Sequence, residues 1–349
     1  MQAVVLVGGE GTRLRPLTLT QPKPAIPLVD RPFIRFIVDW LARHGIDEVV
    51  MACGFRAADL RSALGDALPG GPTITYVEED EPLGTAGPVR LAAERGLLGE
   101  RFMVLNGDVL SDLDLTALQR QHAETAAAAS LALYSIEDPS HYGLVRRRAD
   151  GEVLGFLEKP EPGQIDTDEV NAGAYVLERA VLELIPSGRP VSIEREIFPR
   201  LVGRGLYGRR LDGYWMDIGT PERYLQASWD ILEGRVETEL PGEGGPFVAE
   251  GAEVDEGARL AERAVVRTGA RVAAGAAVAE SVLLERCRVE ADAEVRGSIL
   301  AAGVAVGARA RIGGGSVIGA GARIESEAAV AAGSRVEPGE VVAAGAVAP

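Results

Sequence analysis

The sequence predicts an α/β sheet domain followed by a parallel β-helix, and three observations carry that expectation. Before residue 240, short aliphatic runs alternate with helix-periodic stretches, the pattern of a sheet covered by helices. A Gly/Pro-rich stretch, Leu240-Pro241-Gly242-Glu243-Gly244-Gly245-Pro246, then interrupts the chain. Beyond it aliphatic residues recur every six residues, and Phe247 is the last aromatic. Such a period means coils in which each short strand turns one aliphatic side chain inward.

The elements follow in order. Ala3–Val7 reads as a strand opening into a Gly-rich turn, and residues 33–44 as a helix ended by Gly45. Glu48–Cys53 is a second strand, followed by a helix over Ala57–Leu64. Residues 102–105 form a strand ending in Asn106-Gly107-Asp108; Leu115–Thr125 reads as helix and Ala129–Ser135 as strand. Ligands of such a sheet bind at the carboxyl ends of its strands. In the repeat, aliphatic residues stand at 248, 254, 260, 266, 272, 278 and 284, then at 289 and 295. They continue at 300, 306, 312, 318, 324, 330, 336 and 342, so the period slips by one residue twice. A small residue follows four positions after most of them, as at Ala252, Ala264, Ala276, Ala310, Ser316 and Ala322. Three hexads make one coil, giving between five and six coils. The expected division is a sheet domain over 1–236, a linker over 237–246 and the β-helix over 247–349.

At 349 residues the chain can bury two separate cores. A net charge of −16 repels nucleic acid and anionic membranes, which excludes a general nucleic-acid binder. An anionic substrate would need positive charge concentrated in its site. Cys53 and Cys287, the only cysteines, make no disulfide framework and have no metal-type spacing. No apolar run approaches the roughly 20 residues of a membrane span. Met1-Gln2-Ala3 runs straight into a strand with no basic region before it. A cytoplasmic protein without membrane or nucleic-acid partners is the expectation.

Of 36 basic residues only Lys23 and Lys159 are lysine, and asparagine occurs only at Asn106 and Asn171. Where arginine is used wherever it serves, a surviving lysine points to a place where a guanidinium does not fit. Both lysines stand in Lys-Pro pairs, and both asparagines lie at strand ends close to glycine.

After the first strand comes Gly8-Gly9-Glu10-Gly11-Thr12-Arg13-Leu14-Arg15-Pro16-Leu17-Thr18, then Pro22-Lys23-Pro24. Glycines let backbone N–H groups approach phosphate oxygens, and Arg13 and Arg15 add charged donors. The run is neither a Walker A loop nor G-x-G-x-x-G. It resembles the signature of sugar-phosphate nucleotidyltransferases (nucleotide-sugar pyrophosphorylases). Further matches are Glu81-Pro82-Leu83-Gly84-Thr85-Ala86-Gly87, Leu105-Asn106-Gly107-Asp108, Glu158-Lys159-Pro160 and Asn171-Ala172-Gly173. Trp215-Met216-Asp217-Ile218-Gly219-Thr220 and Ser192-Ile193-Glu194-Arg195-Glu196-Ile197-Phe198-Pro199 are most similar to the mannose-1-phosphate guanylyltransferases. The tail resembles the left-handed hexapeptide-repeat domain.

The resemblance implies a Rossmann-like nucleotidyltransferase domain with a mostly parallel sheet, then a left-handed parallel β-helix. It implies attack of a sugar 1-phosphate on the α-phosphorus of a nucleoside triphosphate, most simply GTP and mannose 1-phosphate giving GDP-mannose and pyrophosphate. A phosphate with a second pKa near 6 needs no general base. Cations and Mg²⁺ then carry the chemistry, which accounts for the lack of a Ser/His/Asp grouping. By resemblance Arg13 and Lys23 are the catalytic cations. Gly8, Gly9, Gly11, Thr12, Glu79, Gly84 and Asn106 hold the nucleotide. Gly143, Glu158, Lys159 and Asn171 hold the sugar phosphate, and Asp108 and Asp217 hold the metal. Asp217 stands just before Thr220-Pro221, which reads as a helix N-cap with proline at the first helical position. Glu79, or a neighbour in the acidic run 78–81, would read the base. A carboxylate only accepts hydrogen bonds, and guanine offers two adjacent donors.

Two alternatives stay open: a glucose-1-phosphate thymidylyl- or uridylyltransferase, and a non-catalytic regulatory homologue. An acetyltransferase in the β-helix is excluded, because its relatives use a histidine there and none follows His141. The flat faces of stacked coils suit self-association, so a homo-oligomer is expected.

Overall fold

The computed structural model describes residues 1–54, 56–240, 242 and 244–348. Pro241 and Glu243 of the expected linker, and Pro349 at the end of the expected β-helix, lie outside them. The chain forms two compact units, Met1–Gly9 with Ile37–Trp215, and Glu10–Phe36 with Met216–Pro349.

The first unit is built on a sheet. Strands β1 (Gln2–Leu6), β2 (Glu48–Cys53), β3 (Thr73–Glu78) and β4 (Arg101–Asn106) are parallel, in the order β4-β1-β2-β3. They read as nearly unbroken apolar runs because both faces of a parallel sheet are covered; Ala3, Val4 and Val5 are all fully buried. The chain steps from β1 outward to β2 and β3, then returns to the other side of β1 as β4. That reversal makes a topological switch point at the carboxyl ends of β1 and β4, where α/β sheets bind ligands. Helices α1 (Phe33–Arg43), α2 (Ala57–Leu64), α3 (Gly87–Glu94) and α4 (Leu115–Thr125) fill the connections. The expected strands and helices are present, with bounds differing by one residue at β1, α1 and β4.

Between residues 136 and 236 the sequence gives only a strand end at Asn171, and here the sheet continues, with Asn171 inside a strand and not at its end. Strands β5 (Ala129–Ser135), β6 (Leu144–Arg147), β7 (Val153–Leu157), β8 (Glu169–Glu178) and β9 (Leu206–Arg210) extend it. The long β8 runs antiparallel to β4 over Ala174–Glu178 and to β5 along most of its length. Its pairing with β5 is irregular between Asn171 and Tyr175. Bulges of this kind re-aim side chains beside functional sites.

In the second unit, helix α5 (Pro221–Leu232) and three parallel six-stranded sheets make up the part from Met216 onward. Each coil gives one strand to each sheet, the arrangement of a β-helix consistent with the left-handed form. Its interior is the expected aliphatic column, with Val272, Val289, Val306, Ile318 and Ile324 buried. The small residues Ala264, Ala270, Ala276, Ala310, Ser316 and Ala322 are fully buried as well.

Two details correct the sequence reading. The column passes through Leu283, which pairs between Val266 and Leu300, and not through Leu284. The first slip therefore comes one hexad early, at the corner where Glu280 takes φ +52°, and the second comes at Gly297. The sixth coil is completed by Val347–Ala348, where alanine replaces the larger aliphatic residue.

One sheet differs from the other two. It contains Val265–Val266, Val282–Leu283, Ile299–Leu300 and Val317–Ile318. Strand alternation turns Val265, Val282, Ile299 and Val317 outward, yet all four are 0% exposed. Several bonds join other segments of the same unit to one another and to the β-helix. Arg267 donates to the Val29 carbonyl at 3.0 Å, and Arg335 lies 3.6 Å from Glu222 of α5. Arg263 stacks on Trp229 and pairs with Glu233, and the Tyr224 hydroxyl donates to the Pro27 carbonyl.

Candidate active site

In the first unit the expected residues gather at the carboxyl edge of the sheet. The Val7 N–H donates to Ala52 and the Gly107 N–H to Leu6, both at 2.9 Å, which pins the turns after β1 and β4. Asp108 leaves the second turn half-buried. Gly8 and the exposed Gly9 leave the first.

Glu79 begins the loop after β3. Its N–H donates to Cys53 at 2.8 Å, and its Oε2 accepts from the Leu83 N–H at 2.8 Å. Its Oε1 lies against Gly8, 2.9 Å from where a Cβ would stand. Burial pushes the Glu79 carboxyl pKa up, and the Leu83 N–H pulls it back. Glu78, Asp80 and Glu81 are exposed. Nearby, burial and then the charges of Glu78 and Glu79 push the Cys53 thiol to about 12, which keeps it inert. Gly84 holds φ +76° with its Cα against Val191, where a Cβ would stand 2.5 Å from the carbonyl oxygen; only glycine fits.

The expected sugar residues lie along β6, β7 and β8. Asn171 donates its N–H to the Gly143 carbonyl at 2.8 Å. Gly143 abuts Glu158, whose Oε2 stands 2.7 Å from the position of an added Cβ. Burial and then the charge of Glu194 raise the Glu158 pKa, while Lys159 and Arg195 lower it. Lys159 is exposed and takes φ +52°. Asn106 closes on Gly173, its Nδ2 2.7 Å from where a Cβ would be. Beside them Trp215 donates to the Ala172 carbonyl at 2.8 Å, between the rings of Tyr134 and Tyr142.

The second unit holds the remaining residues. Gly11 takes φ +63° and opens a short 3₁₀ turn, Thr12–Leu14. The Thr18 hydroxyl donates to the Gly11 carbonyl at 2.9 Å. Lys23 is buried, with its stem packed on Gly11. Arg13 is exposed, and its guanidinium lies over Gly219 beside Asp217. A Cβ on Gly219 would stand 2.7 Å from Arg13 Nη2 and 3.0 Å from Asp217 Oδ1. The Thr220 hydroxyl caps α5 by accepting from the Arg223 N–H at 3.4 Å, with Pro221 in the first turn.

The structure thus brings together Gly8, Glu79, Gly84, Asn106, Gly143, Glu158 and Asn171 in one unit, and Gly11, Arg13, Lys23 and Asp217 in the other. Among the described residues, no group of three or more His, Cys, Asp or Glu side chains could hold a metal. Sequence reasoning gave no role to Thr85, Tyr175 or Glu194, which stand behind Gly84 and Asn171. Glu194 was visible only as part of a motif, and nothing local marks Tyr175.

Comparison with known proteins shows the family. The family model described as nucleotidyl transferase matches residues 2–234. The chain belongs to the nucleotidyl transferase family. A second model, the GMPPB C-terminal domain, matches residues 243–346 of this nucleotidyl transferase. A mannose-1-phosphate guanylyltransferase of Mycobacterium tuberculosis is 40% identical over 296 residues, 83% of this chain and 82% of the relative. Mannose-1-phosphate guanylyltransferase 1 of Arabidopsis thaliana is 37% identical over 326 residues, 89% of each chain. The crystal structure of HddC from Yersinia pseudotuberculosis complexed with GMP-PN aligns with a TM-score of 0.56 at 25% identity. It covers 66% of this chain and 99% of HddC.

Proposed function

We propose that this nucleotidyltransferase converts GTP and mannose 1-phosphate to GDP-mannose and pyrophosphate. The observation that carries the base is Glu79. It is the one acid of the run drawn into the sheet edge, where an oxygen faces Gly8. An acceptor-only group there suits the N1–H and 2-amino donors of guanine. The relatives named guanylyltransferase support the same base and sugar.

An oxygen of the sugar phosphate attacks the α-phosphorus, and the bond to the pyrophosphate oxygen breaks as the new P–O bond forms. The attacking group is already anionic, so the protein's part is positioning and charge. Gly8, Gly9, Gly11 and Thr12 offer backbone donors to the triphosphate. Arg13 and Lys23 neutralise it, and Gly84 and Asn106 complete the nucleotide's surroundings. Glu158 accepts from sugar hydroxyls, Asn171 and Gly143 line the sugar, and Lys159 meets its phosphate. Mg²⁺, when bound, neutralises phosphate charge. Asp108 and Asp217 suit it, since this ion takes one or two carboxylates and fills its other positions with water and substrate oxygens.

The domain division at 237–246 belongs to this reading. So does self-association through the β-helix, which sedimentation would reveal as a species heavier than one chain. The reaction is tested by measuring pyrophosphate release with each nucleoside triphosphate and sugar 1-phosphate in the presence of Mg²⁺. GTP with mannose 1-phosphate should give the highest kcat/KM; preference for dTTP or UTP with glucose 1-phosphate overturns the assignment.

A further inference from the structure

The loop that carries Gly84 is held on both sides of the glycine. Before it, the Leu83 N–H donates to Glu79 Oε2 at 2.8 Å, and the Leu83 carbonyl accepts from the Val191 N–H at 2.9 Å. After it, the Ala86 N–H donates to the Val191 carbonyl at 2.9 Å. Val191 thus takes peptide groups flanking Gly84 and none of Gly84's own. Gly84 is exposed, and among the described residues no hydrogen bond uses its N–H or its carbonyl.

Thr85 ties this loop to a helical turn far along the chain, Ile193–Ile197. The Thr85 hydroxyl accepts from the Ile193 N–H at 2.9 Å and donates to Glu194 Oε2 at 2.6 Å. Ser192 Oγ donates to the same carboxylate oxygen at 2.8 Å and accepts from the Arg195 N–H at 3.2 Å. The sense of the Thr85 bonds is fixed. A peptide N–H can only donate, so the hydroxyl oxygen accepts from Ile193 and its one hydrogen must go elsewhere. An ionised carboxylate can only accept, and Glu194 receives that hydrogen. Ile193 is fully buried, so its N–H has no water to replace Thr85. Serine at position 85 can make both bonds, and valine can make neither.

We propose that Thr85 and Glu194 are positioning residues for the nucleotide. Bound to each other behind Gly84, they hold its two backbone groups toward the base and, through Leu83, steady the Glu79 carboxylate. The proposal rests on the reading that Glu79 and Gly84 face the nucleotide. It gives the Ser192–Pro199 run a part in the site although none of its residues is assigned to a substrate.

The test compares full-length T85V, T85S, E194A, the double variant T85V/E194A and G84A, with kcat and KM measured separately for GTP, dTTP and mannose 1-phosphate. T85V should raise the KM for GTP about tenfold, the scale of one lost hydrogen bond, and leave that for mannose 1-phosphate within about twofold of wild type. The ratio of kcat/KM for GTP over dTTP should fall with it, because Glu79 is less firmly held; a general loss of structure would lower both alike. T85S should recover most of the loss. T85A lets water reach the Ile193 N–H and carries the comparison if T85V does not fold. E194A should also raise the KM for GTP. The Glu194 charge reaches Glu158 as well, so its part in the clamp is read from the double variant. On the KM for GTP, T85V/E194A should be no worse than the more impaired single variant, because the two residues act as one pair. In G84A a Cβ would meet the Val191 carbonyl and displace the loop, which should raise the KM for GTP whatever holds it. A wild-type KM for GTP in G84A would overturn the placement of Gly84 at the nucleotide. A raised KM in G84A with wild-type values in T85V would overturn the clamp alone. Equal rises for GTP and mannose 1-phosphate in T85V, or additive effects in the double variant, would do the same.

Discussion

Replacing Glu79 by glutamine changes hydrogen-bond sense at almost constant shape. The carboxylate's Oε2 accepts from the Leu83 N–H at 2.8 Å, and a glutamine carbonyl can keep that bond. The loop to Gly84 should therefore hold, and the thermal midpoint should barely move. The new amide takes the place of Oε1, which faces Gly8. It would present a donor to the donors of guanine, whereas the mixed edge of thymine or uracil can pair with it. A mismatched polar pair in a half-buried site costs about 1–3 kcal/mol, or roughly 5- to 150-fold. The ratio of kcat/KM for GTP over dTTP should fall by that factor, mainly through loss of GTP use. Burial raises the carboxyl's pKa, so acidification protonates the wild-type side chain and should weaken GTP in the same sense. Parallel kinetics of wild type and E79Q with both nucleotides make the measurement. An unchanged ratio in E79Q, with the loop intact, refutes Glu79 as the reader of the base.

If Asp108 and Asp217 hold Mg²⁺ as proposed, Asp108→Ala and Asp217→Ala should each lower turnover at least about 100-fold with Mg²⁺, while the melting midpoint moves by little more than the loss of the 3.5 Å Asp217–Arg223 pair allows. Near-normal turnover in either would remove that residue from the metal. Lys23→Arg should be strongly impaired although charge is kept. The buried stem lies on Gly11, and a longer planar fork cannot follow its path; wild-type rates would count against that fit. Buried His122 accepts or donates at 2.9 Å to Ser130 and at 3.0 Å to Glu178, and burial lowers its pKa. The unfolded chain thus takes up a proton near pH 6.5 that the folded chain resists. Stability should fall as pH drops from 7 to 5.5, and less steeply in His122→Gln. Equal slopes in urea titrations of the two proteins would contradict this.

The parts legible in the sequence are those set by local pattern. The runs that became β1, β2 and β4 are apolar on both faces, and Asn106-Gly107-Asp108 marks where a strand must stop. The aliphatic period gave the β-helix. Its phase was not legible at Val282-Leu283-Leu284, where three aliphatic residues stand in a row and only the corner at Glu280 decides which turns inward. A further signal lies in the aliphatic doublets at 265–266, 282–283, 299–300 and 317–318, which mark four neighbouring strands of one sheet buried on both faces. Strand β8 was legible only as a strand end at Asn171, and its length was not, because its pairing with β4, β5 and β6 is long-range. For the same reason the rare Asn171 stood out by composition, while Tyr175, whose hydroxyl accepts from its amide, did not. Nor does local pattern predict that Tyr224 and Arg267 bind the backbone of Pro27 and Val29, bonds between the two segments that make up the second unit.

The central claim is transfer of a nucleotidyl group from GTP to mannose 1-phosphate, and the fate of a label tests it most directly. With α-³²P-labelled GTP, mannose 1-phosphate and Mg²⁺, the label should appear in GDP-mannose in step with pyrophosphate release. Neither should form when the sugar phosphate is omitted. Label that stays in GTP, or that leaves as free GMP, would contradict the account.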